Sequence, residues 1–166
     1  FDELDRPTGQ ADELGATTSV GYDNTGNVTS MTDEYGKTLG YAYDKDGRRK
    51  DSTDRLGGGG AEIEYDDAGN PIRQVTATGG VITWTYDDDG RPLTVTEPRG
   101  NVDGADRDDY TSRMSYDQAG NLVAVTDALG RVTRYGYDAL NRNTSITDAR
   151  GNVTRFRYDQ ADQLAA

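Results

Sequence analysis

Apolar and polar residues alternate with a period of two in short stretches of this chain, and the stretches recur at even intervals. The anchor of each is a Tyr-Asp pair: Tyr22-Asp23, Tyr43-Asp44, Tyr65-Asp66, Tyr86-Asp87, Tyr116-Asp117, Tyr137-Asp138 and Tyr158-Asp159, with Phe1-Asp2 as a degenerate first copy. Successive pairs lie 21, 21, 22, 21, 30, 21 and 21 residues apart. Two residues before each Tyr stands Val20, Tyr41, Ile63, Trp84, Met114, Tyr135 or Phe156. One or three residues before it stand small or charged residues such as Gly21, Glu64, Ser115, Arg113 and Arg155. That alternation puts Tyr and its apolar neighbour on one face of a strand. No stretch carries a sustained apolar stripe at helical spacing.

Turn signals share the same phase. Four residues after Tyr comes Gly26, Gly47, Gly69, Gly90 or Gly120, then Asn141 and Asp162 in the last two copies. Gly closes a tight reversal where φ is positive, and Asn is the next residue to tolerate that conformation. The following position holds Arg6, Asn27, Arg48, Asn70, Arg91, Asn121, Arg142 or Gln163, each long or polar. A second turn falls midway in each copy, as in Asp12 to Gly15, Asp33 to Gly36, Asp54 to Gly57, Asp127 to Gly130 and Asp148 to Gly151. Segments of five to seven residues between paired turns predict strands, and short loops make consecutive strands antiparallel neighbours. The expected fold is all-β with essentially no helix: an antiparallel β-hairpin repeat ribbon in which Tyr stacks over Tyr from copy to copy. One array over 1–166 is expected, its copies beginning near 1, 22, 43, 65, 86, 116, 137 and 158. Two places break the pattern. Gly57-Gly58-Gly59-Gly60 predicts a loose loop or bulge, and an acidic insertion at about 101–110 predicts an extended loop on one edge.

Leu, Ile, Val and Phe make up about 15% of the chain, beside a net charge of −12, a balance usual in disordered proteins. Disordered chains do not hold aromatics in fixed register, so the shortage of aliphatics predicts a thin structure, one sheet that borrows burial from neighbouring copies or from a longer protein. The acidic balance argues against nucleic acid as a partner, since phosphate affinity needs clustered Lys and Arg. Without Cys or His the chain has no disulfide, no thiolate metal site and neither the commonest general base nor the usual zinc ligand. No apolar run is long enough to span a bilayer. The sequence opens at Phe1 and closes at Ala166 inside the pattern, so a piece of a longer polypeptide is the expectation.

The motif Tyr-Asp-x-x-Gly followed by Arg or Asn, with Asp-x-x-Gly turns between, resembles the YD repeat of the Rhs family. That family includes bacterial Rhs polymorphic toxins, the B and C components of insecticidal toxin complexes, wall-associated proteins and the teneurins. The resemblance covers virtually the whole chain. It implies a secreted or cell-surface protein in which a hairpin ribbon spirals into a hollow shell enclosing a C-terminal toxin or effector. On that reading the partners of this segment are the rest of its own longer chain and the enclosed effector. Nothing here resembles the family's autoprotease core or an effector, so the segment is expected to be wall, with no catalytic residue.

Candidate chemistry is weighed against that expectation. The aspartates of the Tyr-Asp pairs have a complete structural role in opening turns, and the tyrosines one in packing and hydroxyl bonding. The alternative for the tyrosines is an aromatic platform for sugars, which would make the chain a cell-surface binding module for glycan or protein ligands, with calcium as an aid to binding. Asp44-Lys45-Asp46-Gly47 and Asp87-Asp88-Asp89-Gly90 faintly resemble calcium loops without the full pattern. The better calcium candidates are Asp103, Asp106, Asp108 and Asp109 in the insertion, against the plainer reading of a solvated acidic loop. No other cofactor is expected.

Overall fold

The structure, a computed structural model, describes residues 1–53, 59–159 and 161–165. The turn expected at Asp54 to Gly57 and the first half of the glycine run lie outside the described residues. The chain forms two compact units, Phe1–Val81 and Ile82–Ala166.

In the first unit β1 (Gly9–Ala11), β2 (Thr17–Tyr22), β3 (Val28–Thr32), β4 (Thr38–Tyr43) and β5 (Arg49–Thr53) form a sheet in chain order, every neighbour antiparallel. β6 (Glu62–Tyr65) and β7 (Pro71–Val75) follow as an antiparallel hairpin. Thr53 bridges Gly59 between β5 and β6, and the Gly60 amide donates to the Ser52 carbonyl. A Cβ at Gly60 would lie 2.2 Å from that carbonyl oxygen, so the close approach of the two strands there requires glycine.

The second unit repeats the meander. β8 (Val81–Tyr86), β9 (Pro92–Thr96), β10 (Thr111–Tyr116), β11 (Leu122–Thr126), β12 (Val132–Tyr137), β13 (Asn143–Thr147) and β14 (Val153–Arg155) pair in chain order, again antiparallel. β15 (Arg157–Tyr158) and β16 (Leu164–Ala165) close the chain as a small hairpin. The fold is all-β, as the period-two pattern predicts.

The helical content among the described residues is two single turns of 3-10 helix, Pro98–Asn101 leading into the acidic insertion and Arg107–Tyr110 at its end. The insertion was expected as an extended loop; it is instead pinned to the sheet. Thr96 and Thr111, at 3% and 5% exposure, share a hydroxyl bond of 2.8 Å, and the Thr111 hydroxyl lies 2.7 Å from the Arg107 carbonyl. Arg107 in turn donates to the Thr83 hydroxyl at 2.8 Å. Spacing alone shows the extra length and gives no sign of these anchors.

Among the described residues no hydrophobic side chain is fully buried. The apolar residues two before each Tyr are half-buried. Stability must therefore come from the backbone ladder, the turns and partly covered aromatics, each a small contribution repeated many times.

Candidate functional site

The recurring unit begins with the turn after each Tyr. At Tyr22 the Asp23 amide donates to the Asn27 carbonyl and the Gly26 amide to the Asp23 carbonyl, a three-residue hairpin loop closed by a residue at positive φ. Asp23 Oδ1 accepts from the amides of Thr25 and Asn27, both at 2.9 Å, and Oδ2 from the Asn27 side-chain amide at 3.0 Å. Asp44, Asp117, Asp138 and Asp159 likewise accept from the amides two and four residues on. Asp87 does the same with the amides of Asp89 and Arg91, and Asp66 takes the amide of Asn70. Gly26, Gly47, Gly69, Gly90 and Gly120 all stand at positive φ, and Asn141 and Asp162 adopt the same conformation at φ 59.

The Thr25 hydroxyl, followed by the Asn27 amide, holds the Asp23 carboxyl down at about 2. Side-chain amides of Asn70, Asn121 and Asn152 lower Asp66, Asp117 and Asp148, and the Arg142 guanidinium lowers Asp138. A carboxylate whose folded pKa is depressed adds stability in full above the ordinary value of 3.8, and that stability is lost as pH falls toward the folded value. The melting temperature should fall as pH drops from about 4 toward about 2. Thermal melts followed by circular dichroism across that range check it; an unchanged melting temperature at pH 2 would contradict the turn role of these carboxylates.

Each Tyr closes a gap. Across the first turn pairing runs to the Tyr itself, with a bulge beside it, as in Gly40↔Thr53 through Tyr43↔Arg49. Across the second turn only three pairs form, as in Ser30↔Gly40, Met31↔Leu39 and Thr32↔Thr38, after which the strands part. The Tyr hydroxyl spans the parting. Tyr22, Tyr43, Tyr65, Tyr116, Tyr137 and Tyr158 donate to the carbonyls of Pro7, Val28, Arg49, Pro92, Leu122 and Asn143 at 2.8 to 3.0 Å. Tyr86 ends β8 opposite Pro92. Tyr137→Phe should cost about 1 kcal/mol in urea unfolding, the net worth of a hydrogen bond. No change would contradict the strut role.

The contact over four of these rings is a guanidinium. Arg6, Arg48, Arg91 and Arg142 lie 4.4, 4.9, 5.2 and 4.7 Å from the ring centres of Tyr22, Tyr65, Tyr116 and Tyr158. Each of these arginines binds the Asp of its own copy through Nε at 2.6 to 2.7 Å. Arg6 and Arg48 continue through Nη1 to the Asp23 and Asp66 carbonyls of the next copy, and Arg142 reaches the Asp162 carboxylate. In the intervening copies Asn27, Asn70 and Asn121 bind their own Asp at 3.0 Å. Arg and Asn therefore alternate, and Arg ties copies in pairs. The sequence carries the signal as Arg alternating with Asn, and with Gln163 in the last copy, beneath the common description of long or polar.

The insertion does not assemble a metal centre. Among the described residues no three carboxylates are grouped to hold an ion, so Asp103, Asp106, Asp108 and Asp109 do not converge. Asp106 caps the amide of Asp108, and Asp108 pairs with Arg113.

A family model described as Teneurin YD-shell matches residues 10–166. The chain belongs to that family. Similar solved structures include the Photorhabdus luminescens Tc holotoxin pore, at 19% identity and a TM-score of 0.69, over 90% of this chain and 9% of that one. The TcdB2-TccC3 structure without its hypervariable C-terminal region matches at 20% identity and a TM-score of 0.71, over 89% of this chain and 9% of that one. At these identities the likeness is one of fold, and the chain spans a small fraction of those proteins. No curated protein matches. Among the described residues no helix is long and apolar enough to cross a membrane.

Proposed function

We propose that these residues form part of the wall of an Rhs/YD-repeat β-shell in a secreted or cell-surface protein, and that the wall encloses a C-terminal toxin or effector of the same longer chain. The observation that carries this reading is the Tyr ladder. Hydroxyl struts that reach back 15 residues from Tyr43, Tyr137 and Tyr158 tie successive hairpins together, so the repeat specifies a shaped surface. The YD-shell family match over residues 10–166 supports the same role.

The wall works by geometry rather than catalysis. The carboxylates most tempting as acids or bases are engaged by backbone amides of their own turns, and those with a lowered pKa are held ionised well below neutral pH. A closed wall would keep proteases from an enclosed chain and the enclosed chain from its maker.

The test uses the full natural polypeptide that contains this segment. Under limited trypsin digestion its C-terminal region should survive at least about tenfold longer than the same region produced alone, because cleavage then waits on opening of the wall. Equal digestion would overturn enclosure.

A further inference from the structure

The Arg–Asn alternation leaves two kinds of groove between neighbouring hairpins. In the first kind the chain supplies its own cation: between the first two hairpins Arg6 lies over the Tyr22 ring at 4.4 Å, with Nε on Asp2 and Nη1 on the Asp23 carbonyl. The groove between the turns at Asp23 to Gly26 and Asp44 to Gly47 is of the second kind. It is lined by Asp23, Thr25, Asn27, Tyr43, Asp44 and Asp46. These residues match the Arg6 groove place for place: Tyr43 stands for Tyr22, Asp44 for Asp23, and Asp23 for Asp2. Asn27 binds Asp23 Oδ2 at 3.0 Å as Arg6 Nε binds Asp2, and also donates to the Thr25 hydroxyl at 2.9 Å, but it carries no guanidinium to lay over the Tyr43 ring.

We propose that this groove binds an arginine side chain presented by a basic peptide segment of a partner. The molecule itself shows what such a surface holds, since four of its own guanidiniums occupy the equivalent position over Tyr22, Tyr65, Tyr116 and Tyr158. A planar guanidinium can stack on the ring and donate in its plane to a carbonyl and a carboxylate together. An ammonium cannot do both. Lys45 and Arg48 already bind Asp46, at 3.2 and 2.8 Å, so the carboxylate offered to an incoming guanidinium is that of Asp23, the counterpart of Asp2. A net charge of −12 draws basic partners toward the chain. Asn121 shows how such a groove closes: its side-chain amide donates to Asn141 Oδ1 at 2.8 Å, a contact that Gly47, in the matching place, cannot make. The proposal stands independently of enclosure.

The test is a titration of the 166-residue chain with N-acetyl-arginine amide at low ionic strength, following the Tyr43 ring resonances by NMR. A saturable shift is expected, with N-acetyl-lysine amide binding at least about threefold more weakly. Asn27→Arg should fill the groove from within, raising the melting temperature and abolishing the shift. An equal response to both amides, no shift at Tyr43, or a response that persists in Asn27→Arg would overturn the proposal. If Asn27→Arg fails to fold, Tyr43→Leu decides, followed through the backbone amide resonances of Asp44 and Gly47: arginine binding must drop to the lysine level, and a retained preference for arginine defeats the assignment.

Discussion

Gly120→Val is expected to destabilise the second unit by about 2 kcal/mol or more. Gly120 stands at φ +86, and its amide closes the turn onto the Asp117 carbonyl at 3.1 Å. A β-branched residue is costly in the left-handed region, so either the turn opens or the backbone holds strain. A Cβ there would also lie 3.3 Å from Arg91 Nη1, disturbing the guanidinium that covers Tyr116. Gly120→Asn should cost far less, because Asn141 already occupies the same place at φ 59. Urea denaturation of the two variants beside the parent separates these outcomes. A Val variant as stable as the Asn variant would refute the turn geometry.

Thr111→Val should cost about 1–3 kcal/mol, the penalty for leaving buried polar groups without partners. The hydroxyls of Thr96 and Thr111 lie 2.8 Å apart and both residues are buried, so an apolar isostere at 111 strands Thr96 and the Arg107 carbonyl together. The effect should reach beyond stability. Arg107 and Thr111 fasten the insertion to the sheet, so Thr111→Val should also raise the protease sensitivity of residues 101–110. Thr111→Ser keeps the hydroxyl and should restore the resistance. Equal proteolysis of the Val and Ser variants would show that the insertion is held by something else.

How far the structure was legible in the sequence depends on the range of the contacts. Turns and strands were legible because they are local: Asp at the first turn position, Gly or Asn at the fourth and alternating apolar residues fix conformation within a few residues. The strand order followed from short loops. The role of the tyrosines was legible only in part. Regular spacing shows that Tyr22, Tyr43 and Tyr137 share a job, but not that their hydroxyls reach a carbonyl 15 residues earlier where two strands part. The guanidinium over Tyr65 is harder still to foresee, since Arg48 lies in the preceding copy and the contact depends on the splay between hairpins. The insertion was the least legible stretch. Its acidic residues suggested ion binding, while its structure depends on Thr96, Arg107 and Thr111, ordinary strand and loop residues whose pairing no local pattern announces.

The tyrosines mark rungs of an antiparallel ladder whose hairpins follow one another in chain order. NMR of the labelled chain tests it most directly. Cross-strand NOEs are predicted between Met114 and Val125, Val125 and Thr133, and Tyr135 and Ile146, the facing residues of consecutive strands. Absence of these NOEs, with helical contacts three or four residues apart in their place, would contradict it.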